Sequence, residues 1–530
     1  RDGGKGKVWD VATDGARNIV WKAPLPAWSL AAPIVIGDRV VAVGETHVVI
    51  CHDAQTGKVL WRRDLLPLTF DGMDESQARQ VQEVLDVADA LHTLRWQASM
   101  KNAHGIYKAA DAAAIAGVLK KDMEAWQAVV AARAADLLPT FDAARDAALA
   151  RFQATGKDQI APQQQAMEAF VGAVEKKWQV PIGNTWLGYV GQATNPPCSD
   201  GRRIYLAFTQ GQVACLDLDG KTVWGHRQKQ WEGPKRDNFC LNPLLVDGLY
   251  IVKNATIKDY VAYDCATGRE VWRVPRKGGQ YTQPLLLRLP VAGGTQMPVL
   301  VMPGGREIVR VADGRVVGTF AYDGSDGRGH ALVGHGDLFA TGTNGDNYSG
   351  PGTVYRLTAG AGGMVTAEKV QDLASKPLST GGLPLGHDGW LFGRIEGKSR
   401  KGLIDLATGA IRAQFDLSWD GSAPVLAGTR LIAIDGASGG NSPWGRERDD
   451  GKAMIRCTVI DLAGGTAKML SNRNLLCESG PAADLVIPRL FAGIDPLHFA
   501  GNDYGCASYF GGQMFGVVPS GNRLFLQSVA

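Results

Sequence analysis

Long apolar runs, cysteine and an excess of either charge are all scarce in this 530-residue chain. No apolar run approaches the ~18 residues that a helix needs to cross a bilayer, which excludes a membrane-spanning helix. Eight cysteines are too few for disulfides to be the main stabiliser. No two are adjacent, and Cys51-His52 is preceded by Val48 rather than by the first cysteine of a Cys-x-x-Cys-His haem motif. Lys and Arg total 56 against 53 Asp and Glu, a net charge of +3. The basic residues are scattered rather than banded, which argues against a nucleic-acid footprint. His-Glu-x-x-His and the P-loop are both missing. Ser379-Thr-Gly-Gly382 is glycine-rich but opens a strand rather than a helix, so it is no phosphate cradle. His330 and His335 stand five apart and point to opposite faces of an extended segment, a poor metal pair. Asp-rich turns at 322–327, 344–347 and 446–451 carry oxygen ligands of the kind calcium takes, without EF-hand spacing.

What the chain has in quantity is one hairpin, repeated. Tyr260-Val-Ala-Tyr263 runs into Asp264, turns through Ala266-Thr267-Gly268 and resumes as a strand carrying Trp272. Asp53, Thr56, Gly57 and Trp61 repeat that spacing, and Asp217, Gly220 and Trp224 repeat it one residue shorter. Worn copies follow, with Gly318, Ala413 and Met469 where Trp would fall. A recurring hairpin with an aromatic in its last strand predicts an all-β, eight-bladed β-propeller of four-stranded antiparallel blades. Trp supplies a broad apolar surface for the next blade, Gly turns the chain at no steric cost, and Asp accepts hydrogen bonds from turn amides.

Between residues 71 and 178 the grammar changes. Gly nearly vanishes, and Val81, Val84, Leu85, Ala88 and Leu91 recur at helical spacing, as do Ile115, Val118, Leu119, Met123 and Trp126. Three or four helices, broken near Gly105, Pro139 and Gly156, are expected. The chain therefore divides into residues 1–70 (N-terminal closing strand and blade 1), 71–178 (a helical insertion) and 179–530 (blades 2–8). The segment around Ile19–Trp21 is an unpaired strand expected to complete the last blade and leave no open edge.

The Ala-x-Asp-x-x-Thr-Gly-x-x-x-Trp hairpin, best matched at 262–272, resembles the tryptophan-docking repeat of the pyrroloquinoline-quinone (PQQ) repeat family. That family includes quinoprotein alcohol dehydrogenases and the non-catalytic propeller lipoprotein of the bacterial outer-membrane assembly machinery. The dehydrogenase branch implies adjacent cysteines above the quinone, a Ca²⁺ held by Glu, Asn and Asp, and an Asp base. The missing Cys-Cys pair sets the chain apart from that pattern, so no catalytic residue, resident metal or cofactor is expected. PQQ with calcium stays open as the alternative, for a dehydrogenase of alcohols or sugars. Family geometry puts the residues that open each inner strand at the central channel: Asn195, Asn242, Tyr281, His330, Thr380 and Asp420, candidates for a carbohydrate or small ligand. Trp96, Tyr107 and Trp126 of the insertion are candidate anchors for a protein partner. Cys198 and Cys240 precede the inner strands of neighbouring blades and are the candidate disulfide. The chain opens on Arg1, as removal of an export signal would leave it, so a periplasmic or extracellular binding or scaffold module is expected.

Overall fold

A computed structural model of the chain describes residues 9–10, 20–21, 23, 31–44, 47–66, 73–104, 109–151, 157–180, 182, 195–208, 211–228, 243–253, 259–275, 284–302, 305–321, 332–342, 352–373, 385–396, 400–416, 425–436, 453–463, 468–477, 516–520 and 523–527. Its β-branched and aromatic runs form strands, and its Gly-Asp and Asp-Gly pairs turn them back. Blade 1 consists of Ile34–Ile36, Arg39–Gly44, Val48–Asp53 and Val59–Asp64. Blade 2 is Cys198–Ser199, Arg203–Ala207, Gln212–Asp217 and Thr222–Arg227. Blade 3 is Leu244–Val246, Leu249–Val252, Asp259–Asp264 and Glu270–Pro275. Blade 4 is Leu285–Pro290, Gln296–Val301, Glu307–Arg310 and Val316–Thr319.

Blade 5 is Leu332–His335, Leu338–Gly342, Gly352–Ala359 and Val365–Asp372. Blade 6 is Leu385–His387, Trp390–Glu396, Arg400–Asp405 and Ile411–Asp416. Blade 7 is Val425–Ala427, Arg430–Gly436, Ala453–Asp461 and Lys468–Cys477. All seven are antiparallel in sequence order. Among the described residues an eighth unit has two strands, Gly516–Ser520 and Arg523–Gln527; the first lies against the inner strands of both blade 7 and blade 1. That position is consistent with a closed ring of eight.

The N-terminal segment behaves differently from the expectation. Trp21 belongs to no strand, and Ile19 lies outside the described residues. The short strand Trp9–Asp10 pairs in parallel with Leu475 and Leu476 as a fifth strand on the outer edge of blade 7.

Antiparallel succession gives the ring two unlike faces. Within each of the seven blades the first-to-second and third-to-fourth turns lie at one end, and the second-to-third and blade-to-blade connections at the other. The first end is built from tight turns such as Gly37-Asp38 and Ala54–Gly57. The second end is where the connections 65–197, 437–452 and 478–515 leave and return.

The first of these connections contains helices α1 (Glu75–His104), α2 (Ala109–Arg133), α3 (Leu138–Arg151) and α4 (Lys157–Trp178). Asp74 and Gln77 exchange backbone-to-side-chain hydrogen bonds of 2.8 and 3.0 Å, a capping arrangement that starts α1. The break before α3 falls at Ala134 rather than near Pro139, which sits in the first turn of α3 where a missing N–H leaves no helical bond unmade. Val84, Leu85, Leu91, Met123, Phe141, Phe170 and Val174 bury into a core shared by all four helices, separate from the cores between blades. Phe141 and Phe170 meet edge to face at 5.2 Å.

Candidate interaction face and interblade joints

Three joints of one design hold consecutive blades together, and a fourth ties the N-terminal segment to blade 1. Trp61 of blade 1 donates its indole N–H to the carbonyl of Leu218 in the turn of blade 2 at 2.8 Å. Trp224 does the same to Cys265 at 3.0 Å, and Trp272 to Val311 at 2.7 Å. Trp21, from the N-terminal segment, donates to Ala54 in the turn of blade 1 at 3.0 Å. Each ring lies flat on a turn glycine of left-handed φ. A Cβ on Gly57 would fall 2.6 Å from the Trp21 ring, and one on Gly268 would fall 2.6 Å from that of Trp224. Gly220 under Trp61 and Gly314 under Trp272 are as crowded, at 2.7 and 2.9 Å. Glycine is required here twice over, for its φ and for the space.

The aspartates shape the turns that receive these rings. Asp53 accepts the amides of Gln55 and Thr56 at 3.0 and 2.7 Å and the Thr56 hydroxyl at 2.7 Å. Asp264 accepts Ala266 and Thr267 amides at 3.1 and 2.8 Å and the Thr267 hydroxyl at 2.7 Å. The Thr267 hydroxyl, then its amide, hold the Asp264 carboxyl below the ordinary aspartate range. Asp217, followed by Gly rather than Thr-Gly, accepts the amides of Asp219 and Lys221 at 2.9 and 2.8 Å.

The Asp, Thr, Gly and Trp residues read from the sequence as one hairpin thus belong to two blades: the Trp of one hairpin rests on the Gly of the next. Trp21 completes the series, and its place one joint ahead of Trp61 was the signal available to find it. Gln371 is a second unforeseen member: its amide donates to the Leu406 carbonyl at 3.2 Å while packing on Gly409, the Trp role played by a smaller amide. Gly318 stands at the tryptophan position of blade 4, opposite Ile308 at the bulge as Trp272 is opposite Ala262. A Cβ there would fall 2.2 Å from the Val365 carbonyl, so glycine lets the outer strands of blades 4 and 5 touch.

Cys198 is a free thiol that donates to the Pro243 carbonyl at 3.5 Å, and Cys240 lies outside the described residues. Burial pushes the thiol of Cys51 up to about 11 and those of Cys198 and Cys215 up to about 12, which keeps them protonated and unreactive. These cysteines pack within and between blades 1 to 3 rather than as a neighbouring pair. Among the described residues no three His, Cys, Asp or Glu side chains converge as a metal would need.

Of the channel candidates, Asn195 is 2% exposed, and among the described residues neither its amide nitrogen nor its oxygen has a hydrogen-bond partner. Asn242, Tyr281, His330, Thr380 and Asp420 lie outside the described residues, as do Tyr107 and the side chain of Trp96. Trp126 packs half-buried against the helical core. The insertion is tied to the ring at both ends. Arg79 of α1 meets Asp64 of blade 1 at 3.4 Å, and Arg227 of blade 2 donates to the Trp178 carbonyl at 3.4 Å. Leu66, at the exit from blade 1, is part of the helical core.

The model of the family described as outer membrane protein assembly factor BamB matches residues 4–89 and 165–341, passing over most of the helical insertion. No curated protein matches the chain by sequence. Similar solved structures include BamB from Moraxella catarrhalis, 10% identical over 78% of this chain and 71% of that one, with a TM-score of 0.30. Another is the dihydro-heme d1 dehydrogenase NirN, 16% identical over 51% of this chain and 52% of that one, with a TM-score of 0.31.

Proposed function

We propose that this chain, a PQQ-like repeat propeller closer to BamB-type proteins than to the dehydrogenases, is a non-catalytic scaffold that binds protein partners in an envelope or extracellular assembly. The observation that carries this reading is the asymmetry of the ring. One face is closed by short turns that dock blade to blade. The other bears the long connections, including a four-helix unit with its own core and ion-paired footing. An insertion of that size folded as ordered helix is far beyond what linking two strands requires. Held at both ends, it presents a preformed surface, which lowers the ordering cost of binding.

The test is site-specific photo-crosslinking in the full chain. Crosslinkers at exposed Glu124 of α2 and Asp146 of α3 are expected to capture a protein partner, and one at exposed Ala312 in the tight turn of blade 4 is not. Capture from Ala312 alone would reverse the assignment of faces. Turnover of alcohols or sugars on adding PQQ, Ca²⁺ and an artificial electron acceptor would overturn the non-catalytic reading. Asn195 supports a second reading, a small-ligand site at the channel, because a buried amide with both ends unpaired is costly unless something bridges it. Asn195→Leu would then abolish binding of a sugar that the parent chain retains.

A further inference from the structure

The rim of the ring between blades 1 and 2 carries an open groove of about 590 Å³, lined by Arg39, Leu60, Trp61, Arg62, Arg63 and Asp219. Its inner wall is the last strand of blade 1, Val59–Asp64, which among the described residues pairs on one side only, with Val48–Asp53. Such an edge leaves backbone N–H and C=O groups directed outward, able to pair with another strand.

The charge in this groove is not internally balanced. Arg39 is shared between Asp219 at 3.2 Å and Asp38 at 3.9 Å. Arg63 gives its N–H groups to two backbone carbonyls, of Gly220 at 2.9 Å and Arg62 at 3.2 Å, and among the described residues meets no carboxylate. Arg62 is exposed and, among the described residues, makes no ion pair. The corresponding residue after the tryptophan of blade 3, Arg273, is held by Glu270 at 2.8 Å and Asp259 at 3.6 Å. Among the described residues, blade 1 therefore differs from blade 3 in leaving the guanidinium at this position without a carboxylate, and it adds that of Arg63 beside it. Leu60, 46% exposed, adds an apolar contact beside them.

The two arginines project to opposite faces of the strand, as alternate residues do. Trp61 and Arg63 both reach the turn of blade 2, at Leu218 and Gly220, which puts Arg62 on the other face, while Leu60 is the extra residue of the bulge before Trp61. The ring itself shows that an outer edge of this kind takes an added strand: Trp9–Asp10 pairs in parallel on that of blade 7.

We propose that the outer edge of blade 1 is a docking site for an extended segment of a partner protein that carries two consecutive acidic residues. The segment pairs with Val59–Asp64 as a fifth strand, one carboxylate meeting Arg62 and the next Arg63. Main-chain bonds supply affinity and the two charges supply register and selectivity. The site stands on the rim beside the helical insertion, whose Arg79 meets Asp64 at the end of the same strand, but its charges belong to blade 1 and it does not depend on the reading of that insertion.

The experiment measures fluorescence anisotropy of a labelled Val/Thr-rich dodecapeptide with a central Glu-Asp pair against the full chain. Saturable binding is expected, weakened roughly three- to tenfold by Arg62→Gln with Arg63→Gln, as two exposed ion pairs would allow. Arg288→Gln, on the inner strand of blade 4 where Asp247 of blade 3 already pairs it at 2.7 Å, is expected to leave binding unchanged. The same peptide with alternate backbone nitrogens methylated is expected to lose binding, since it cannot add as a strand. Absence of saturable binding, equal affinity for the methylated peptide, or equal affinity for a single-stranded oligonucleotide with the same arginine dependence would each overturn the proposal. Circular dichroism of the double variant confirms that the ring is intact.

Discussion

Blades 1 to 4 and blades 5 to 7 share one topology but are fastened differently. Into blades 1 to 4 the joint is an indole lying on a left-handed glycine, from Trp21, Trp61, Trp224 and Trp272 in turn. Later joints use backbone contact at Gly318 and an amide at Gln371. Both halves bury apolar strands between neighbours, and their middle strands are covered on both faces, so the blade itself is specified by short continuous apolar runs. The tryptophan adds area and one directed hydrogen bond at the tight-turn face. A repeat can lose it and keep its fold as long as the next turn still finds a group to cover it.

The sharpest way to break this contrast is Trp272→Ala. Trp272 is 7% exposed and its N–H is bonded to Val311, so its loss is expected to cost about 3–5 kcal/mol. An unchanged denaturation midpoint would mean that the joint is dispensable. Next come the receiving glycines. Gly268→Ala forces a methyl to within 2.6 Å of the Trp224 ring at φ +71°, and roughly 2–4 kcal/mol is expected from left-handed strain and overpacking together. Gly409→Ala has a similar φ of +69° but meets the Gln371 amide at 3.2 Å, so only the backbone cost of about 1–2 kcal/mol applies. Equal losses at the two sites would erase the distinction between the joints. Gln371→Ala removes one hydrogen bond to Leu406 and is expected to cost about 0.5–1.5 kcal/mol, measured in the same way.

Legibility in the sequence followed the same division. Blades 1 to 3 were plain because Asp, Thr, Gly and Trp recur at fixed spacing, and the insertion was plain because hydrophobic period changed from strand-like to helical. The last strand of blade 5, Val365–Asp372, was not read, because the turn before it is Gly360-Ala-Gly-Gly363 rather than Asp-x-x-Thr-Gly. Trp21 was placed at the ring closure but in a strand, because its contact is with a turn 33 residues on rather than with a hairpin partner. Gln371 carried no signal at all, since a Gln covering a glycine has no distinctive pattern. Interaction between blades is a property of residues far apart in the chain, which spacing within one hairpin does not encode. The charge imbalance at Arg62 and Arg63 was equally invisible, since it exists only by comparison with the partners Arg273 finds in three dimensions.

The smallest expected effect concerns the turns themselves and depends on pH. Asp264 is held below the ordinary aspartate value of 3.8 first by the Thr267 hydroxyl, then by the amides of Thr267 and Ala266 and the charge of Arg269. A carboxyl depressed in the folded state contributes stability that is present above its unfolded value and is lost as pH falls through its folded one. The window therefore lies at and below about pH 4, and the contribution is complete at pH 7. Because many carboxylates titrate in that window, the informative quantity is the difference in melting temperature between the parent chain and Asp264→Asn. That difference is expected to favour the parent at pH 7 and to close as pH approaches 3. Thr267→Ala removes the largest contributor and is expected to move the closing point to higher pH. At Asp405 burial works against ionisation, and the Thr408 amide and hydroxyl with Arg412 still hold it down, so the later joint repeats the behaviour with an arginine added. A gap for Asp264→Asn that stays constant across the window would show that its turn is held by geometry alone, without its charge.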